Sequence, residues 1–231
     1  MSVLTINTLS VIHAQFYFPR WGCWRGVALV DAADAADLTG ALALDVSDGQ
    51  LALTGHSGAV GAYQDAVRVE VIGGRGALST VARARHYQQP SVERVVRDLV
   101  GDAGETLSST SDTSARAVVL PQWTTLAQPV GAALDLVVEA AGEGVGWRLL
   151  PGGDLWIGAE TWSDAAQVGD LLGYDPQERR ALFGVDVPLL LPGTTYRDDA
   201  RPEVNGQRIA RVAWDVGGAD GPRCWAWFEA V

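Results

Sequence analysis

Lysine is missing from this sequence: all 17 basic residues are arginine, set against 28 carboxylates for a formal net charge of −11. With no lysine-rich patch and a marked acidic excess, tight binding to a phosphate backbone is argued against. Cysteine is nearly missing too. Cys23 and Cys224 stand close to opposite ends of the 231 residues. Two cysteines without CxxC spacing neither build a disulfide framework nor hold zinc alone, so both are expected as reduced, partly buried thiols. The three histidines, His13, His56 and His86, form no HExxH or comparable ligand pair, and no metal is expected. No stretch approaches the ~18 apolar residues of a membrane-spanning helix. The opening MSVLTINTLSVIHAQFYF has no basic start, and polar residues interrupt its apolar part, unlike a secretory signal. A soluble protein made in the cytoplasm is the expectation.

What the chain does have is apolar bulk and indole. Hydrophobic residues make up 48% of it, and 9 residues are tryptophan. That is enough to bury a core in one or two compact units.

The first third reads as β-structure. In ALALDVSDGQLALTG (41–55), Leu42, Leu44 and Val46 alternate, Asp48-Gly49 offers a turn, and Leu51 and Leu53 alternate on the way back. AVRVEVIGG (66–74) alternates again, and a small antiparallel barrel or sandwich is predicted. The period then changes. Val92, Val95, Val96, Leu99 and Val100 follow a helical spacing, with Ser91 as N-cap and Gly101 or Gly104 able to end the helix. A second helix fits 129–144, where Val130, Ala133, Leu134, Val137, Val138 and Ala141 share one face and Pro129 suits the first turn. The polar SSTSDTSARA (108–117) is expected as an exposed loop. A last hairpin pairs QRIARVAWDV with CWAWFEAV. The fold class is therefore mainly β with two helices, α+β, with an N-terminal barrel-like domain (1–80), a middle α+β segment (81–165), and a C-terminal β segment (166–231) completing a second barrel-like domain.

Three tryptophans crowd GWRLLPGGDLWIGAETW (146–162). If Pro151, Gly152 and Gly153 form a three-residue loop, Leu149 pairs with Leu155, Arg148 with Trp156, and Trp147 with Ile157. Trp147, Leu149, Leu155 and Ile157 then share an apolar face, and on the other the Arg148 guanidinium can lie over the Trp156 ring. Trp162 falls beyond the hairpin and receives no assignment. On the closing strand Trp225 and Trp227 share one face while Cys224, Ala226 and Phe228 occupy the other, which implies burial on both sides, either within the domain or against another chain.

Catalytic patterns are decoys. GHSGA (55–59) has Ala59 where a nucleophile elbow needs glycine and no strand-to-helix setting, and it is read as a turn. GGRGALS (73–79) has Ser79 where a dinucleotide loop needs its third glycine, and it is read as a connector. The aspartates of DAADAAD, Asp31, Asp34 and Asp37, lack the spacing of a calcium loop and suit a solvated turn or short helix. No catalytic residue and no cofactor is assigned, and the chain is not expected to be an enzyme.

The N-terminal hairpins, then VIGGRGALSTVARARHYQQPSVERVVRDLVGDAGETL, GVGWRLLPGGDLWIGAETW, VPLLLPGTTY and the closing pair RIARVAWDV and CWAWFEAV, together resemble a tail hub protein of tailed bacteriophages, of the baseplate-hub or late-control-protein-D type. That resemblance implies tail-tube-like antiparallel β-barrel domains with an inserted α/β segment, and a homo-oligomeric ring, most often a trimer. It implies a structural virion protein of the tail tip or baseplate, assembled in the host cytoplasm, that joins the tail tube to a central spike or fibre and forms part of the DNA channel. The partners implied are the tail tube, distal tail proteins and the tape measure protein. On this reading Trp21, Trp24, Arg148, Trp156, Trp225 and Trp227 are expected at interfaces, since tryptophan and arginine are enriched there. The alternative is a carbohydrate- or receptor-binding module of a phage tail, with exposed aromatic platforms beside carboxylates.

Overall fold

The computed structural model describes residues 4–31, 34–46, 51–165, 170–184, 190–217 and 222–229. The first part of the chain forms β1 (Leu4–Ile6), β2 (Leu9–Pro19), β3 (Arg25–Val30), β4 (Ala41–Val46), β5 (Leu51–Tyr63) and β6 (Ala66–Gly73). The middle forms β7 (Arg85–Gln88), α1 (Val92–Asp102), α2 (Thr113–Ala117), β8 (Gln122–Thr125), α3 (Val130–Ala141), β9 (Val145–Leu149) and β10 (Leu155–Ala159). The last part adds β11 (Ser163–Asp164), β12 (Asp170–Asp175), β13 (Arg180–Gly184), β14 (Thr194–Thr195), β15 (Ile209–Val216) and β16 (Arg223–Phe228). Two compact units result: residues 1–20, 24–72 and 161–231 make the first, and residues 21–23 and 73–160 the second.

In the first unit the order β1-β4-β5-β6-β3-β2 returns to β1 through a β1–β2 pairing, which closes a six-stranded antiparallel barrel. Alternation drives it. Leu42, Leu44 and Val46 of β4 point inward with Leu53 of β5 and Val67, Val69 and Val71 of β6, while Ala41, Ala43 and Asp45 of β4 stay outside. Closure removes the unpaired edges that an open sheet would expose. The expected Asp48-Gly49 turn lies outside the described residues; the flanking register, Leu44 with Leu53 and Val46 with Leu51, is that of the expected hairpin. GHSGA is not a turn. Its five residues continue β5, because the chain there pairs onward with β6. Asp34 caps a short 3-10 helix, Ala35–Leu38, by accepting from the Ala36 N–H at 2.9 Å.

Strand β2 gives the unit its second half. One of its edges pairs with β3; the other meets β1 at Leu9 and Ser10, then β15 from Ala14 to Pro19. The strands β15-β16-β13-β12 thereby extend the same ten-stranded sheet. The C-terminal strands and the N-terminal strands belong to one compact unit. Where β2 changes partner, Phe16 and Phe18 turn inward and meet Trp214 and Trp24: Phe18 lies 4.2 Å from Trp214 and 5.5 Å from Trp24 between ring centroids. Four aromatic rings buried at one junction add roughly 0.5–1.5 kcal/mol per ring pair beyond their area.

In the second unit the helices pack through the faces that the periodicity predicts. Val92, Val95, Val96, Leu99 and Val100 of α1 are buried, as are Val130, Ala133, Leu134, Val137 and Val138 of α3. Ser91 accepts from the Arg94 N–H, capping α1. At its far end Gly104, at φ +66°, lets the Glu105 N–H reach Val100 O (3.0 Å) and its own N–H reach Gly101 O (3.1 Å), the paired bonds of a Schellman stop. Asp102 ties that end to β7 through a two-pronged ion pair with Arg85, at 2.5 and 2.8 Å.

Residues 108–117 correct the sequence reading. They are not an exposed loop: Ser108 and Ser111 are buried, and α2 is a third helix, capped by Asp112. The Ser108 N–H donates to Leu155 O at 2.7 Å, the Asp112 N–H donates to Ile157 O at 2.9 Å, and Ser111 Oγ accepts from the Ile157 N–H at 3.2 Å. The backbone of this segment, together with the Ser111 hydroxyl, satisfies the free edge of β10.

Candidate protein-interaction faces

Two arginine–tryptophan constellations stand out, one in each unit. In the second, β9 and β10 pair in the expected register, Leu149 with Leu155, Arg148 with Trp156, Trp147 with Ile157, and the Leu150 N–H closes the loop on Asp154 O. Trp147, Leu149, Leu155 and Ile157 are buried. On the opposite face the Arg148 guanidinium lies 4.6 Å from the Trp156 ring centre and 6.0 Å from that of Trp21. The two indoles stack, 6.2 Å apart and 7° from parallel. Arg148 also pairs with Glu160, and the Trp156 indole N–H donates to Thr110 O at 3.1 Å. Trp21, Arg148 and Trp156 are thus brought together, half-buried, and largely satisfied by one another.

In the first unit the outer face of the extended sheet carries the other group. Trp225 and Trp227 project from β16 and are half-buried, while Cys224, Ala226 and Phe228 fill the core below. Within the chain one face of β16 is buried and the other is half-buried. Arg180 of β13 caps the Trp225 ring at 4.5 Å, and Arg211 of β15 caps Trp227 at 4.6 Å. A cation over an indole contributes ~0.5–1 kcal/mol where exposed and ~2 where desolvated. Alongside runs a cleft of about 440 Å³ lined by Tyr17, Arg25, Glu70, Asp215 and Trp225. Tyr17 is 42% exposed, and Asp215 pairs with His13 at 3.0 Å.

Trp24 is a correction. Expected at an interface, it is 1% exposed and sits in the aromatic junction of the first unit, because it precedes β3 in phase with that strand's buried positions Gly26, Ala28 and Val30. Trp162, unassigned from sequence, lies between Arg20 at 4.5 Å and Arg208 at 4.9 Å. Sequence reasoning also missed Tyr17, Arg180 and Arg211. Arg211 could have been found from the β15–β16 register, had the connection been short enough to dictate it.

The groups with shifted acidities lie in ion pairs, hydrogen bonds or the core. The Arg85 hydrogen bonds hold the Asp102 carboxyl below the usual carboxylate range, and burial pushes the Cys224 thiol well above its ordinary value. Burial, with a hydrogen bond to Asp98, raises the Tyr87 phenol to about 12. Among the described residues no group of three or more His, Cys, Asp or Glu side chains is placed to hold a metal ion.

No family model and no curated protein sequence matches the chain. Solved structures do. A tail protein from Neisseria meningitidis superposes with a TM-score of 0.66 at 12% identity, covering 97% of this chain and 95% of that one. The 43 kDa tail protein of prophage MuSo2 from Shewanella oneidensis gives 0.71 at 8% identity, covering 97% and 96%. A type VI secretion component of E. coli, described as structurally similar to the T4 bacteriophage tail proteins gp27 and gp5, gives 0.67 at 14% identity, covering 98% and 77%. The chain has the fold of phage tail proteins, along nearly its whole length.

Proposed function

We propose that this protein is a structural component of a phage tail or a related injection machine, acting as a hub or adaptor at the distal end of the tail tube. The observation that carries the reading is the end-to-end match to two tail proteins, including the closed barrel and the sheet that extends from it. No covalent step is involved. The work is geometric: copies of the chain close into a ring that continues the tube and seats a central spike or fibre.

A ring of identical subunits needs a heterologous contact, in which one face of each copy meets a different face of the next. The Trp225–Trp227 face with Tyr17 suits that contact, because its aromatic area is large, its arginines are already ordered, and a cleft runs beside it. Trp21, Arg148 and Trp156 are assigned a supporting part, as a rigid half-buried patch on the second unit. The net charge of −11 supports a lumen that repels passing DNA. Negative-stain imaging of the purified chain mixed with its tail tube tests the reading. Rings or capped tubes are expected; dispersed monomers at micromolar concentration overturn it.

A further inference from the structure

The outer side of α3 borders two hollows, neither of them lined by Trp225 or Trp227. Toward β8 a groove of about 400 Å³ is lined by Trp123, Thr125, Leu126, Leu136 and Glu139. Leu126 is 61% and Leu136 46% exposed, so two large apolar side chains border one hollow. Two of its polar atoms are unsatisfied. Thr125 is 2% exposed and its Oγ1 has no hydrogen-bond partner; the Trp123 indole nitrogen is shielded and equally without one. Each such group costs roughly 1–3 kcal/mol when left unpaired. Two of them lining one groove mark a place that accepts polar atoms from outside. Among the described residues β8 has a strand neighbour, β7, on one side only.

Toward β9 lies a second hollow, of about 520 Å³, lined by the indoles of Trp21 and Trp147 and by the carboxylates of Asp135, Glu139 and Glu143. Glu139 borders both hollows, and among the described residues no basic one lines either. The chemistry is apolar and hydrogen-bonding on one side of the α3 ridge, acidic and aromatic on the other.

We propose that this ridge docks an extended segment of a partner protein in which apolar and basic residues alternate. The segment lies along the free side of β8, as a strand added to a sheet edge. Its apolar side chains fill the space between Leu126 and Leu136, its polar groups satisfy Thr125 and Trp123, and a guanidinium or ammonium group enters the acidic hollow against Trp21. Charge complementarity selects such a partner over a second copy of this chain, whose own net charge is −11.

Fluorescence anisotropy on the full chain tests this with two labelled octapeptides, one alternating valine with arginine and one alternating valine with glutamate. The arginine peptide is expected to bind saturably and the glutamate peptide about tenfold more weakly or worse. Leu136→Asp and Glu139→Arg are each expected to weaken the arginine peptide by about tenfold, the loss of one central contact. Leu172→Asp, at an exposed site in the first unit, leaves binding unchanged, and Glu139→Arg improves the glutamate peptide. Equal binding of the two peptides, no binding of either, or indifference to Leu136→Asp overturns the proposal. So does self-association in sedimentation that Leu136→Asp abolishes, which would give the groove to a second copy. None of these outcomes depends on whether rings form with the tail tube.

Discussion

Gly146 of β9 and Gly158 of β10 stand directly opposite each other in the hairpin, and each lies under an indole. A Cβ added to Gly146 would fall 2.4 Å from the Trp21 ring, and one added to Gly158 would fall 2.7 Å from the Trp156 ring. The glycine pair forms a flat floor on which the two stacked rings rest, and Arg148 approaches them from the neighbouring position.

Gly146→Ala should therefore unseat Trp21. Overpacking of this kind costs about 1–3 kcal/mol, read as a lower urea midpoint with an unchanged slope. The near-ultraviolet circular dichroism of the stacked indoles should fall in the same variant. A wild-type spectrum and midpoint would show that the rings rest elsewhere.

Asp102 predicts a pH dependence. Its folded pKa is depressed, first by the hydrogen bonds from Arg85. The stability it contributes is present above the unfolded carboxylate value near ~3.9 and is lost as pH falls through the folded value. Asp102→Asn should cost about 1–3 kcal/mol at pH 7, since Arg85 keeps some contact with water. The variant should also show a flatter decline below pH 4. Parallel acid-denaturation curves for the two proteins would contradict this.

The two cysteines should react in sequence. Cys224 is fully buried and its thiol is held protonated by burial, whereas Cys23 is half-buried. An aromatic disulfide reagent at pH 8 should modify Cys23 in the native protein and Cys224 only on addition of denaturant. Cys23→Ser should abolish the native reaction. Simultaneous release of both thiols without denaturant would mean that β16 opens readily.

Trp225→Ala combined with Trp227→Ala should keep the far-ultraviolet spectrum, because the buried face of β16 is untouched. Oligomerisation should weaken sharply, each central indole being worth about 2 kcal/mol or more at an interface. Native mass spectrometry checks it: an unchanged oligomer mass distribution would remove this face from the ring contact.

Local order was legible in the residues themselves. Ser91 and Gly104 bound α1 because a cap and a left-handed stop act within a few residues of the chain. The Pro151–Gly153 loop sets the register of β9 and β10 because a three-residue connection permits few pairings. That register alone put Arg148 over Trp156 and Trp147 in the core. Residues 108–117 misled for the same reason: serine and threonine read as solvent-loving unless a neighbour supplies their hydrogen bonds, and the neighbour, β10, lies 46 positions away at the Ser111–Ile157 contact.

What the sequence by itself determined was the kind of the long periodic elements, the inward and outward faces of those strands and helices, and the shortage of catalytic groups. Those follow from periodicity, capping and composition, which are short-range. Only the tertiary structure decided that β2 exchanges β1 for β15, that Trp24 lies inside while Trp225 and Trp227 lie outside, and that α3 borders two hollows. Such outcomes depend on pairings between segments as distant as Gln15 and Asp215, 200 residues apart. Alternation tells each strand which side to bury, but many strand orders bury the same sides, and the selection among them is made by packing across the whole chain.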